Sequence, residues 1–423
     1  MVNEKNEQSV EILQVSSLED YEWPENDPHS VHQRTRIFDN KDLQLVKSCL
    51  QKAKLNMDVF QKNARKEKLT ISEQVLRILS HQKFQMNPVQ SVRNEIKWKE
   101  CIEKYVSKEA PIDIVYPQFC VIPNAPKRYT NTGYSAGEDS TIEFFKQINE
   151  QIKIIYPPGV RFHTLADASL YASAFQTQQT EVDAYYESLK NRIHELNADD
   201  CIFIYDYADL LRTMCHQEYQ NLYYKYSHKV WNGEIESLLP NTNIDTLWRS
   251  VRCSVNTRRF QLKHIDHLAL FGPMKYRDYD HPLYSMLNSM TDIAFREVVS
   301  IRLACTDIDI ATRKWPDSVR ATCHKGQKNG HWPIGLRVYP EYYGSCKLLP
   351  YHGMPVINRD GKGNPRLEIY PEVLLRGNED LVRVTIGNSD EVYVYICNDI
   401  EKGRKDEVSY KSPIGMRISE FEE

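Results

Sequence analysis

Four places in the sequence combine residue types that can bind a small molecule or move its protons. IYPPGVRFHTLADASLY, residues 155–171, reads as a tight turn, an apolar strand and then Asp167 before small residues. Ligands of open α/β sheets sit in the crevice beyond the carboxyl ends of the strands, so a carboxylate there is placed for binding. Aspartate before Ala-Ser is equally good cap and turn chemistry, and the position alone supports both readings. WPDSVRATCH sets Arg320 and His324 four apart on a strand, on one face, where a fixed cation and a titratable ring can meet one ligand. The plainer reading is an arginine paired with a surface carboxylate and a satisfied histidine. LLPYHGMPVINRDG places His352 beside Gly353, where backbone can approach a ligand closely, although a turn histidine fits as well. PQFCVIPNAPK ends a strand in a stiff Pro-Asn-x-Pro loop bearing Lys127.

Metal chemistry has weaker support. KHIDH offers His264, Asp266 and His267 but no third ligand at a recognisable spacing, and the 10 cysteines include no C-x-x-C pair. We expect no metal and no cofactor, and we expect the cysteines to be buried thiols. The 26 tyrosines suit the lining of an aromatic-ligand pocket, and equally suit ordinary amphipathic packing.

These residues need a frame. Residues 1–35 are polar, contain Pro24 and Pro28 and show no sustained period, so they read as a loose arm. From 36 to 110 the apolar residues of DLQLVKSCLQKAKLNMDVF, ISEQVLRILSHQKFQ and VRNEIKWKECIEKYV recur at three and four, which predicts a helical layer. From 111 to 400 strands and helices alternate, the mark of a Rossmann-like, mainly parallel sheet with helices on both faces. IDIVYPQFCVI, VRFHTLA and CIFIYDY are its first strands. A helix over 140–153 carries Ile142, Phe145, Ile148 and Ile152 on one stripe, with Ser140 or Asp139 as cap. TEVDAYYESLKNRI is a second helix, with the stripe Val182, Tyr186, Leu189 and Ile193.

Residues 208–314 read as largely helical, broken at LFGPMKYRDYDHP. SVRATCH, IGLRVYP, HGMPVIN, RLEIYP, LVRVTIG and VYVYIC follow as later strands and a carboxyl-terminal β-rich part, and 401–423 as a tail. Neither a G-x-G-x-x-G nor a G-x-x-x-x-G-K is present, which weakens a nucleotide-binding reading.

With 41% hydrophobic and 26% charged residues, the chain of 423 has the composition of an ordinary globular protein. Its net charge of −4 gives no overall attraction for nucleic acid or an anionic membrane, so small molecules or proteins are the expected partners. No apolar run reaches the roughly 20 residues of a membrane span, and MVNEKNEQSVEILQ is too acidic for a secretion signal, so the cytoplasm is the expected compartment.

Taken in order, these motifs resemble the isonitrile synthases and the pyoverdine or dityrosine biosynthesis proteins, from about residue 71 to 395. ISEQVLRILSHQ is similar to that family's early helix. PQFCVIPNAPK resembles its P-N-x-x-K loop, giving Pro123, Asn124 and Lys127, and SAGED offers Glu138 at an acidic position. IYPPGVRFHTLADASLY is similar to a strand ending in Ser-Asp-Gly-Arg, which sets Asp167 on the acidic position. WPDSVRATCH resembles F-P-x-x-I-R-L-S-I-H, with Arg320 and His324 in register, and LPYHGMPVINRDG resembles T-P-W-H-x-V, matching His352.

The resemblance implies an enzyme of specialised metabolism that converts the α-amino group of an amino acid to an isonitrile, with ribulose 5-phosphate as carbon donor. A downstream oxygenase would be a partner through the product. Asp167 would hold the ammonium, Arg320 would clamp a carboxylate or phosphate, and His324 and His352 would move protons. Two departures each remove a cation: Val121 stands for lysine and Ser169 for arginine. A buried phosphate dianion without matching cations carries a desolvation cost of several kcal/mol. Lys127, Arg128 and Arg161 lie near the altered positions in sequence. A diverged enzyme that modifies the amine without ribulose 5-phosphate, for example by N-formylation, and a non-catalytic binding protein are the alternatives.

Overall fold

One helix, buried on nearly every side, explains most of the architecture. The computed structural model describes residues 33–50, 53–85, 92–117, 134–255, 282–322, 333–337, 349–350, 353–359, 363–370, 375, 378–387 and 391–401. Within it, Ala136–Lys153 (α5) separates two five-stranded sheets. The stripe of Ile142, Phe145, Ile148 and Ile152 is fully buried, worth at most about 1.5–3 kcal/mol per side chain. Most polar positions of α5 are buried too, and several find partners in neighbouring elements. Asn149 accepts from the Val160 amide (2.9 Å), Gln151 from the Leu55 amide (2.7 Å), and Glu143 pairs with Lys47 (3.0 Å). The cap of α5 is Ser135 with Glu138 as its capping-box partner, one turn earlier than the sequence reading placed it.

Ahead of α5 lie the strand Thr35–Ile37 (β1) and four helices, Asn40–Leu50 (α1), Met57–Lys66 (α2), Ile71–Leu79 (α3) and Val92–Val106 (α4). Thr70 and Glu73 close a capping box on α3. The expected arm therefore ends in structure: β1 pairs with a late strand, and the Gln33 side chain donates to the carbonyls of Leu375 and Asn378.

The first sheet is wholly parallel. Ile112–Tyr116 (β2), Val160–Ala166 (β3), Ile202–Asp206 (β4), Val319–Thr322 (β5) and Ile334–Gly335 (β6) stand in the order β4-β3-β2-β5-β6. A glycine is required in the turn before β3: Gly159 has φ +70°, and a Cβ there would lie 2.4 Å from the Asn149 oxygen. Right-handed crossovers put α5 and Gln179–Glu195 (α7) on one face, where Phe145 meets Phe162 and Tyr116. The stripe Val182, Tyr186, Leu189 and Ile193 is buried there as expected.

The short helix Ala168–Tyr171 (α6) follows β3. The chain then reverses after β4 and returns on the opposite face through Tyr207–Trp231 (α8), Ile235–Leu238 (α9), Ile244–Val255 (α10), Pro282–Ile308 (α11) and Ile310–Lys314 (α12). Leu210, Leu211, Ile308 and Ile310 pack there on Val115 and Leu165. The order reverses between β2 and β5, so the ligand crevice of this topology lies beyond their carboxyl ends.

The second sheet is mixed, in the order β1-β9-β10-β7-β8, from Met354–Arg359 (β7), Pro365–Tyr370 (β8), Leu381–Thr385 (β9) and Val392–Cys397 (β10), before a last turn of helix at Asn398–Glu401 (α13). It holds α5 from the other side: Tyr393 donates to Asp139 at 2.8 Å, and Asp139 accepts a two-pronged contact from Arg192 of α7 at 2.8 and 2.7 Å. Burial pushes the Asp139 carboxyl up against the pull of Arg192 and Tyr393. Among the described residues Cys101, Cys201 and Cys215 are buried thiols as expected, whereas Cys49, Cys305 and Cys397 are only half-buried. Among the described residues no helix is long and apolar enough to cross a membrane.

Candidate active site at the carboxyl edge

Asp167 is the N-cap residue of α6, yet its side chain makes no capping hydrogen bond. The plain cap reading therefore does not account for it. It lies half-buried beyond β3, and its charge is felt by Tyr207 and Cys305. Burial first, then the neighbouring acidic groups, pushes the Tyr207 phenol far up, and burial with Asp167 pushes the Cys305 thiol up to about 12, against a hydrogen bond from Tyr207. Both groups are thus neutral hydrogen-bonding partners near neutral pH.

Asp206 ends β4 as Asp167 ends β3. One of its oxygens caps α8 through the amides of Ala208 (2.8 Å) and Asp209 (3.4 Å); the other accepts from Ser169 at 2.5 Å. Burial raises the Asp206 carboxyl. The serine that stands for an arginine is therefore committed to a carboxylate, and Gln179 donates to it at 3.2 Å.

Arg320 lies on β5 in register with Val115 and donates to Asp309 at 2.6 Å and to Thr312 at 2.5 Å. Asp309 caps α12 in the left-handed region, φ +42°, a conformation uncommon for aspartate. Burial works to raise its carboxyl, but Thr312 and Arg320 outweigh it and hold the group low. Asp309 also acts on Tyr207, so Asp167, Tyr207, Asp309 and Arg320 form one electrostatic neighbourhood. Arg320 pairs with a carboxylate, as its plainer reading held, and the register sets it level with His163, four residues before Asp167.

Glu138 sits at the amino end of α5, fully buried, accepting from the Ser135 amide (2.9 Å), the Ser135 hydroxyl (2.7 Å) and Tyr185 (3.2 Å). Its neighbour Gly137 touches the chain elsewhere: a Cβ there would lie 1.9 Å from the Pro350 carbonyl oxygen. That contact fixes the polypeptide two residues before His352 against the start of α5. His352, His324, Asn124 and Lys127, like Val121 and the KHIDH cluster, lie outside the described residues. In sequence, His324 follows the carboxyl end of β5 by two positions.

Arg161 goes to the other end. It stands next to the start of β3, about 20 Å of strand from Asp167, and donates to Asp113 at 2.8 Å. Asp113 also takes a 2.8 Å contact from His163 and a 3.2 Å one from Tyr105. Burial would raise the Asp113 carboxyl, but His163 and Arg161 hold it below its ordinary value. His163 is buried between Trp315 (4.8 Å) and Phe203 (5.6 Å). Neither this pair nor the Asp206, Tyr207, Cys305 and Asp309 group was found from sequence. The signals were present: polar residues at alternate positions of VRFHTLA, and a carboxylate closing the apolar IFIYD just as Asp167 closes its strand.

The sequence profile of the family described as "Pyoverdine/dityrosine biosynthesis protein" matches residues 102–264, which run from α4 past α10 and include Asp167, Ser169 and Asp206. That segment, less than half of the chain, is similar to the family. No curated protein matches it in sequence. The crystal structure of the PvcA protein from Pseudomonas aeruginosa is similar in fold, with 18% identity and a TM-score of 0.56 over 77% of this chain and 99% of that one. Arg320, His324 and His352 lie beyond the matched segment.

Proposed function

We propose that the chain is an isonitrile-synthase-like enzyme that acts on the α-amino group of an amino acid at the carboxyl edge of the parallel sheet. The supporting observation is the placing of Asp167, from the family-matched segment, half-buried beyond the carboxyl end of β3 without a capping hydrogen bond from its side chain. Asp167 binds the substrate ammonium, and Arg320, steadied by Asp309 and Thr312, takes its carboxylate. His324 and His352 exchange protons with the reacting nitrogen and carbon, Asn124 and Lys127 bind a sugar phosphate, and Glu138 fixes the amino end of α5 toward it. Arg161, at the far end of β3, has no part in this arrangement. Ribulose 5-phosphate is the carbon donor in this reading, no cofactor or metal is needed, and the product passes to an oxygenase. The enzyme acts in the cytoplasm on small molecules, without nucleic acid or membrane.

One observation favours the variant reaction that uses no sugar phosphate. At the carboxyl ends of β3 and β4 stand the carboxylates of Asp167 and Asp206, and Ser169 adds none of the charge an arginine would bring. Such a field favours an ammonium and opposes a phosphate dianion. The test is phosphate release from ribulose 5-phosphate with a panel of amino acids, beside calorimetric binding of each amino acid alone. Release that falls about a hundredfold in Asp167→Asn supports the full reaction. Binding that depends on Asp167, without release, supports the variant, and absence of both overturns the amino-acid reading.

A further inference from the structure

Away from the carboxyl edge, helix α11 presents Met290, Ile293, Ala294 and Glu297 on one stripe, at the spacing that brings side chains together on a helix face. Facing this stripe are residues Ser173 to Gln176, which follow α6, together with Trp231 at the end of α8 and Val255 at the end of α10. They enclose a cavity of about 210 Å³. Its floor is dry: Ala294, Val255 and Phe175 are each under one-tenth exposed. Its lip is apolar but wet, with Trp231 50% and Ile293 59% exposed, so large hydrophobic surfaces face water at the mouth of a hollow that can take them.

Glu297 is the charged group of the lining. Tyr223 donates one hydroxyl proton to its two oxygens, at 2.7 and 2.9 Å, which orients the carboxylate and leaves it capacity to accept more. Arg296, the preceding residue of α11, lies over the Trp231 ring at 5.2 Å and is committed to the carbonyls of Val230 (3.0 Å) and Trp231 (3.4 Å). A flat apolar body fits between Trp231, Phe175 and the adaptable Met290, and a protonated amine satisfies Glu297. An aromatic carboxylate would meet a like charge, and a neutral hydrocarbon would desolvate the carboxylate without compensation. Glu297 lies about 12 Å along α11 from Cys305, the residue of that helix beside Asp167.

We propose that this hollow is a binding site for an arylalkylamine, separate from the carboxyl-edge site. The test is calorimetric titration of the full chain with phenethylamine, beside the neutral analogue 2-phenylethanol. The wild type and Asp167→Asn bind phenethylamine saturably, while Glu297→Gln weakens binding at least about tenfold, the scale of one hydrogen bond to a charged group. Ile293→Arg, at a solvent-facing position that does not disturb folding, abolishes binding, and 2-phenylethanol binds at least about tenfold more weakly than the amine. Absence of binding to the wild type overturns the proposal. So does retention in both Glu297→Gln and Ile293→Arg, and so does loss in Asp167→Asn with retention in those two. Turnover at the edge is read through Asp167, whereas this binding survives its substitution, so either reading can fail alone.

Discussion

Replacing Arg192 with leucine tests the contact that fastens the amino end of α5. Arg192 gives Asp139 two hydrogen bonds, gives Glu195 a third at 2.6 Å, and lies over the Tyr134 ring at 4.7 Å. Glu195 is exposed, so its pair is worth under about 1 kcal/mol, and the ring contact about 0.5–2 kcal/mol. Asp139 is different: with no exposure and its guanidinium gone, only Tyr393 remains among these partners, and stranding a buried charge costs about 3–5 kcal/mol. That is a large part of the roughly 5–15 kcal/mol that separates a native domain from its unfolded chain.

Urea unfolding at pH 7 should show the loss as a lower midpoint at constant slope. Burial then raises the lone Asp139 carboxyl further, and a carboxyl raised in the folded state gains stability as pH falls through that value toward the ordinary 3.8, so the deficit should shrink in acid. The triple change Arg192→Leu, Asp139→Leu, Tyr393→Phe removes the stranded groups together and should return to within about 2 kcal/mol of wild type. A single variant within 1 kcal/mol of wild type, or a triple no better than the single, would refute the reasoning.

Gly137→Ala should be destabilising although alanine is worth about 0.8–1 kcal/mol over glycine inside a helix, because the new methyl meets backbone at Pro350; a raised melting temperature would show that the chain there yields. The Asp113 carboxyl, held low by His163 and Arg161, contributes stability that is present above its ordinary value and lost as pH falls through the folded one. His163→Phe should therefore flatten the acid limb of stability measured by urea unfolding between pH 5 and 2, and an unchanged limb would assign the loss to other carboxylates.

Periodicity made the frame legible. VRFHTLA is β3 residue for residue, VRNEIKWKECIEKYV is α4, and the apolar stripes of α5 and α7 are buried as their spacing predicts. What spacing could not supply was partnership across the chain. The strand at Thr35 was read as arm because three residues show no period, and it is structure only through its pairing with β9. The later strands were read as a continuation of the sheet and a β-rich part without a division between them, since a strand does not announce which neighbour it joins. At the site, Asp167 was found because a carboxylate closing an apolar strand is conspicuous. Arg161 was grouped with it because it is near in sequence, but an extended strand carries six residues far.

The pairing of β1 also sets a schedule for synthesis. The side chain of Gln33 meets a carbonyl 345 positions further along the chain. A ribosome adding about 5–20 residues per second leaves that segment waiting roughly 17–70 s before its partner emerges. For all that time the edge of β9 does not yet exist and the first sheet can already have formed. Nascent-chain stalling just before and just after β9 should therefore change protease access at the amino terminus while leaving the parallel sheet protected.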